Sequence, residues 1–132
     1  MTPDEARAAF LRQPHAILAT ADASGVPHLV PVVFAAVGAS LALVVDHKPK
    51  RTTDLKRLRN IAANPHVSLL AEHYADDWSA LWWARADGIA RVSPLTPAVL
   101  AAFQARYRHY RADPPDGPAV LVTVVKWSGW AA

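Results

Sequence analysis

At 132 residues the chain fits one domain, and a composition of 52% hydrophobic and 19% charged residues is too apolar for a disordered protein. Its longest apolar runs, Val30 to Val37 and Leu41 to Val45, fall short of the ~20 residues needed to span a bilayer as a helix, so no membrane partner is expected. Cysteine is absent, which excludes disulfides, thiolate metal sites and cysteine nucleophiles; with Asp4 and Glu5 in place of an apolar leader, the expected location is cytoplasmic.

Thr2-Pro3-Asp4-Glu5 reads as a helix start, with Thr2 as cap, Pro3 at the first helical position and Glu5 completing a capping box. Ala6, Ala9 and Phe10 then share a face, and Gln13-Pro14 ends a helix of about three turns. Ala16 to Ala21, the turn signal Asp22-Ala23-Ser24-Gly25 and the valine-rich run Pro27 to Ala35 predict a β-hairpin. Pro31 has no N–H for the ladder, so its strand is expected at an edge, bulged, or facing a ligand. Gly38-Ala39-Ser40 turns the chain into a third strand, Leu41 to Val45.

Thr53-Asp54 is expected to open a second helix, on which Leu55, Leu58, Ile61 and Ala62 recur at helical spacing until Asn64-Pro65. Val67 to Tyr74 predicts a fourth strand. Ser79 to Val92 is extended, and its Asp87-Gly88 fits either a hairpin turn or a bulge inside one long strand. Thr96-Pro97 caps a third helix with Val99, Leu100, Phe103 and Tyr107 along one side and Gln104, Arg106 and Arg108 pointing elsewhere. After the loop 113–118, Ala119 to Lys126 closes the chain as a β-branched strand. Many strands with isolated helices favour an antiparallel barrel over a parallel sheet.

Net charge is +3, and its distribution is uneven. Between His47 and Asn60 lie Lys48, Lys50, Arg51, Lys56, Arg57 and Arg59 against only Asp54. Lys48, Lys50, Arg51, Thr52 and Thr53 sit just before a predicted helix start, where free amides and the helix dipole favour an anion; guanidinium, ammonium and hydroxyl donors there suit a phosphate. The alternative for such a cluster is a solvated charged turn. Six histidines show no HExxH motif, so no metal site is expected, and His28 at a strand start fits a structural role or a ligand contact. No G-x-S-x-G, Walker loop or G-x-G-x-x-G is present, so redox chemistry requires a borrowed cofactor. The basic cluster lacks the interleaved aromatics of a single-strand nucleic-acid site. Trp82 and Trp83 must face opposite sides of their strand, one toward the core and the other toward a partner or ligand.

The runs Val44-Val45-Asp46-His47-Lys48-Pro49-Lys50-Arg51-Thr52-Thr53, Asn64-Pro65-His66-Val67-Ser68-Leu69-Leu70, Asp77-Trp78-Ser79-Ala80-Leu81-Trp82-Trp83 and Arg85-Ala86-Asp87-Gly88 together resemble the pyridoxamine 5'-phosphate oxidase-like proteins of actinobacteria, in the branch dependent on the deazaflavin coenzyme F420. The resemblance implies a mainly β fold with short helices, a six-stranded antiparallel split β-barrel of the flavin mononucleotide (FMN)-binding type. It also implies a homodimer with cofactor sites at the subunit interface. The cofactor phosphate is then expected on Lys48, Lys50, Arg51, Thr52 and Thr53, and the ring along His28, Val30, Pro31, Val32 and Val33. The implied activity is hydride transfer from coenzyme F420 to a small organic substrate, with FMN as the alternative cofactor and a non-catalytic cofactor-binding protein as the alternative role.

Overall fold

The computed structural model describes residues 1–45 and 55–132. Its first element, α1 (Pro3–Leu11), starts as the sequence dictates: Glu5 N–H donates to Thr2 Oγ1 at 3.2 Å and Thr2 N–H to Glu5 Oε1 at 3.0 Å. Ala6, Ala9 and Phe10 form its buried face.

Seven strands follow: β1 (Ala16–Ala21), β2 (Pro27–Val32), β3 (Ala35–Val37), β4 (Ser40–Val44), β5 (His66–His73), β6 (Trp82–Ser93) and β7 (Ala119–Ala131). All pairings are antiparallel, in the order β2-β1-β5-β6-β7-β4-β3. Helices α2 (Lys56–Ala63), α3 (Pro97–Arg106) and the short α4 (His109–Ala112) complete the described chain. No helix among the described residues is long and apolar enough to cross a membrane.

Among the described residues the expected six strands are therefore seven, and no hydrogen bonds close the sheet. The difference comes from the run Pro27 to Ala35, which is not one strand. It stops at Val32, passes through Val33-Phe34 and restarts as β3 at Ala35. β2 and β3 stand at opposite ends of the strand order. Three Cα steps span at most about 11 Å, so the sheet must curl until its two edges nearly meet at this passage.

Other boundaries differ as well, among them the fourth predicted strand, which runs His66–His73 rather than Val67–Tyr74. The described part of α2 begins at Lys56, with Leu55 at the N-cap in extended conformation and no side-chain cap, so Leu55 precedes the helix; the Thr53-Asp54 start lies outside the described residues. The third predicted strand runs Ser40–Val44, one residue earlier than expected. Trp78–Ala80 is a 3-10 turn whose Asp77 carboxylate accepts from Ser79 N–H and Oγ, so the following strand starts at Trp82. β7 continues past Lys126 to Ala131 because β6 offers it twelve residues of partner.

Asp87-Gly88 is not a hairpin turn. β6 runs straight through it, and the register against β7 shifts there, Asp87 facing Lys126 and Gly88 facing Val124. Val125, on the opposite strand, is the extra residue of the bulge. A Cβ on Gly88 would stand 2.5 Å from Thr123 O and 2.8 Å from Val122 Cγ1, so only glycine lets the strands approach.

The core lies between the inner sheet face and α1. Phe10 packs at a tilt against Phe34, centroids 4.7 Å apart, and meets Trp127 edge-on at 5.2 Å, with Leu18, Leu69, Ala86 and Val122 fully buried around them. A second cluster, Val99, Phe103 and Tyr110 with Ala35, Ala42 and Ala119, seats α3 and α4 on the β3–β4–β7 side. Phe34, between β2 and β3, therefore packs into the main core while its neighbour Ala35 belongs to the second.

Candidate functional site

The expected phosphate grip, Lys48, Lys50, Arg51, Thr52 and Thr53, lies outside the described residues. Its two flanks are described, and they converge. Val44 at the end of β4 and Arg57 in the first turn of α2 line one pocket of about 250 Å³ together with Pro31, Val32, Val33, His15 and Tyr110. Three of the five residues expected along the ring thus meet in one cavity with both flanks of the basic segment.

The pocket takes consecutive residues because it lies at the end of β2, where the strand stops at Val32. Pro27, Leu29 and Pro31 face outward, while His28, Val30 and Val32 turn toward the core. β2 is an edge strand, so Pro31 sacrifices no interior ladder bond. Val30 packs against the main core and lines neither this pocket nor the larger cleft described below. His28 is half-buried opposite Thr20, and its Nδ1 is buried without a hydrogen-bond partner among the described residues.

Arg57 stood in the sequence only as one member of a basic run, yet it is the charge the fold brings into the pocket. Its side chain is half-buried, it has no hydrogen-bond or ion-pair partner among the described residues, and burial pulls its pKa below the usual guanidinium value. A guanidinium remains protonated at neutral pH, so the pocket carries a positive charge that no described residue compensates. Helix α2 is itself anchored. Asn60, 3% exposed, donates from Nδ2 to Thr20 Oγ1 at 3.1 Å, tying the helix to β1.

A second, larger cleft of about 460 Å³ lies on the outer sheet face, lined by Ala19, Ala21, Pro27, Val67, Ile89 and Val125 around a polar centre. In that centre Ser68 Oγ donates to Asp87 Oδ1 at 2.6 Å, and Arg85 Nε to Asp87 Oδ2 at 3.2 Å. The same face carries Leu29, Leu70, Ile89, Val125 and Trp130 as exposed apolar side chains. Trp82 packs inward against the core, whereas Trp83 points to this outer face beneath the Arg85 guanidinium, 5.4 Å from the ring centroid. The two tryptophans therefore divide as strand geometry requires. Among the described residues no three His, Asp or Glu side chains gather as a metal site.

Arg106 and Tyr107, which the sequence put on different sides of the third helix, act together. Arg106 lies 4.5 Å over the Phe34 ring and donates from Nη1 to Leu11 O at 2.8 Å and from Nη2 to Gln13 O, closing the C-terminal end of α1. Nothing in the local sequence marks this role, since its partners lie more than 90 residues away.

Solved structures share this architecture at low identity. A conserved hypothetical protein, Rv2991, from Mycobacterium tuberculosis superposes with a TM-score of 0.75 at 19% identity, covering 99% of this chain and 85% of that one. A FAD-binding protein (mll6688) from Mesorhizobium loti gives 0.75 at 18%, covering 98% and 92%. The heme storage protein HutZ from Vibrio cholerae gives 0.66 at 16%, covering 97% and 90%. No curated protein matches the chain. The family model described as pyridoxamine 5'-phosphate oxidase spans residues 2–131, and the chain belongs to that family.

Proposed function

We propose that this protein binds the phosphorylated deazaflavin coenzyme F420 and transfers its hydride to a small organic substrate. The observation that carries the proposal is the convergence of Pro31, Val32 and Val33 with Val44 and Arg57 in one pocket at the flanks of the basic segment. An apolar strip beside a cationic segment fits a planar ring with a phosphorylated tail. The phosphate falls to Lys48, Lys50, Arg51, Thr52 and Thr53. The protein's own part is to hold the ring against the apolar strip and to exclude competing reactions, since the hydride chemistry belongs to the cofactor.

A homodimer is part of the same proposal. The exposed apolar outer face, with Leu29, Leu70, Trp83 and Trp130 around the Arg85–Asp87–Ser68 centre, suits a second copy of the chain. FMN is the alternative cofactor: the family match favours a flavin-type ligand, and a basic phosphate grip suits either molecule.

Titration of the purified protein with coenzyme F420 and, separately, with FMN tests the assignment. The expected result is saturable, stoichiometric binding of coenzyme F420, weakened about tenfold or more in Lys50→Ala and Arg51→Ala. Stoichiometric flavin carried through purification assigns FMN instead, a Soret band on adding heme assigns neither, and unchanged binding in both variants removes the phosphate grip. Turnover with a panel of quinones and enones distinguishes an enzyme from a cofactor carrier.

A further inference from the structure

We infer that two copies of the chain pack outer sheet face on outer sheet face about a two-fold axis that crosses the strands at the level of Asp87, with Glu72 of each copy paired to the partner's Arg91. This rests on the homodimer proposed above and gives it a face, an axis and a contact. The face is the outward side of β2, β1, β5, β6 and β7, which lie side by side in that order. On β6 the buried residues Ala84, Ala86, Gly88 and Ala90 point inward, so Trp83, Arg85, Asp87, Ile89 and Arg91 point out. The outward residues of β1 and β2 are all uncharged. Leu29 on β2 is 66% exposed and Val125 on β7 is 69% exposed, so the apolar surface reaches across the whole width.

Its size suits a second copy. Five strands at a spacing of ~4.8 Å, and the span from Trp83 to Arg91 at ~3.4 Å per residue, give roughly 600 Å² in projection, on the scale of the ~800 Å² that each partner buries in a stable interface. A sheet face this apolar is expected to be covered.

The charges fix the axis. Asp87 is held within its own chain by Ser68 and Arg85. Glu72 and Arg91, by contrast, have no hydrogen-bond or ion-pair partner among the described residues. Glu72 shares a rung with Trp83, and Trp83 and Arg91 stand equally far from Asp87 on either side of it along β6. Reversal about the Asp87 rung therefore brings the partner's Arg91 to the level of Glu72, one strand spacing to the side and within reach of a long side chain. The Arg85 Nη nitrogens, also without a partner among the described residues, then face the partner's Asp87 across the axis. Lys126 is exposed at the β7 margin of the same rung. A two-fold running along the strands sets every rung on itself instead. It brings Glu72 against the partner's Glu72 or Arg91 against the partner's Arg91, and like charges on a desolvated face oppose it.

Sedimentation of the cofactor-free full chain over a range of concentrations tests the contact. The wild type should dimerise, and Glu72→Arg and Arg91→Glu should each raise the dimer dissociation constant tenfold or more at low salt. The double exchange should return it to within threefold of wild type. Both side chains are exposed, so the variants alter association, and an unchanged thermal midpoint for the monomer checks that they fold. A distance measurement tests the axis independently. The chain has no cysteine, so Tyr74→Cys carries a single nitroxide per copy. His73 faces Trp82, which places Tyr74 about six residues from the Asp87 rung, and the two labels should lie ~40 Å apart, against less than ~20 Å for an axis along the strands.

A monomeric wild type overturns the homodimer and this geometry together. A dimer with labels less than ~20 Å apart, one that either single reversal leaves unchanged, or one that the double exchange fails to restore overturns the geometry and leaves the homodimer standing. None of these measurements contains the coenzyme, so failure of the cofactor assignment leaves their outcome intact.

Discussion

The Tyr107 hydroxyl occupies both backbone hydrogen-bonding groups of Phe34, accepting from its N–H at 3.2 Å and lying 2.8 Å from its carbonyl oxygen. Phe34 is the residue at which the chain leaves one sheet edge for the other. A residue between two strands has no ladder partner, and a partly buried amide and carbonyl left unpaired are costly. Tyr107 supplies both partners from the end of α3 and is itself met by Arg106 Nε at 2.9 Å. Tyr107→Phe should therefore destabilise the protein by about 1–3 kcal/mol while keeping the fold, measured as a lower denaturant midpoint at constant slope. A change below 0.5 kcal/mol would show that water replaces the hydroxyl.

Arg106→Lys is expected to cost more than charge conservation suggests. A lysine keeps the charge but loses the planar stack on Phe34 and the fork that reaches Leu11 O and Gln13 O together. The expected loss is about 1–3 kcal/mol. Amide exchange should locate it as faster opening at the C-terminal turn of α1, whereas a uniform change across the sheet would contradict the capping role.

Gly88→Ala should be among the most damaging single-methyl additions in the chain. The added Cβ would overlap the Thr123 carbonyl oxygen, a backbone atom that cannot rotate away, and only β7 moving back relieves it. A cost of about 1–3 kcal/mol or more is expected. Gly38→Ala is the contrast: nothing lies near its Cβ, and its penalty comes only from a φ of +60°. Thermal unfolding of the two variants should separate a steric cost from a conformational one.

Asp22 predicts a pH dependence. Its carboxylate accepts from Val26 N–H at 3.0 Å and Ser24 N–H at 2.8 Å, and these bonds, the one to Val26 foremost, hold its pKa below the usual aspartate value of 3.8. A carboxyl whose folded pKa lies below its unfolded pKa adds stability that is complete above the unfolded value and lost as pH falls through the folded one. The β1–β2 turn should thus loosen below about pH 4, and Asp22→Asn should flatten that dependence without altering stability's slope with pH between 6 and 8. Carboxyl chemical shifts followed through an acid titration check the sign directly; a midpoint above 3.8 would reverse it.

Much of this was legible in the sequence where cause and effect are close along the chain. The capping box at Thr2 and Glu5, the Asp22–Gly25 turn and the opposite facing of Trp82 and Trp83 are decided within a few residues, and each is realised. The failures share a different feature. The strand break at Phe34 sits in an unbroken apolar run without a turn residue, because the groups that satisfy it come from Tyr107. The choice between turn and bulge at Asp87-Gly88 was settled by Val125 on another strand. In the candidate site, the resemblance named Pro31, Val32 and Val33 and gave Arg57 no role, since a half-buried charge without a partner among the described residues is defined by surroundings that only the fold assembles.

The two-residue passage at Val33-Phe34 also bears on how the protein avoids its own kind. A sheet that ends in free strands offers each end as a template to foreign chains, and aggregation begins there. Here the ends are covalently joined at one rim, with a gap of no more than about two strand spacings, which limits an invader there to a single strand. The far end of β2 stays open, yet Pro27 and Pro31 remove two of its six N–H donors. An intruder meets an incomplete ladder on one side and a clasp on the other, so the path of the backbone itself limits edge-to-edge pairing.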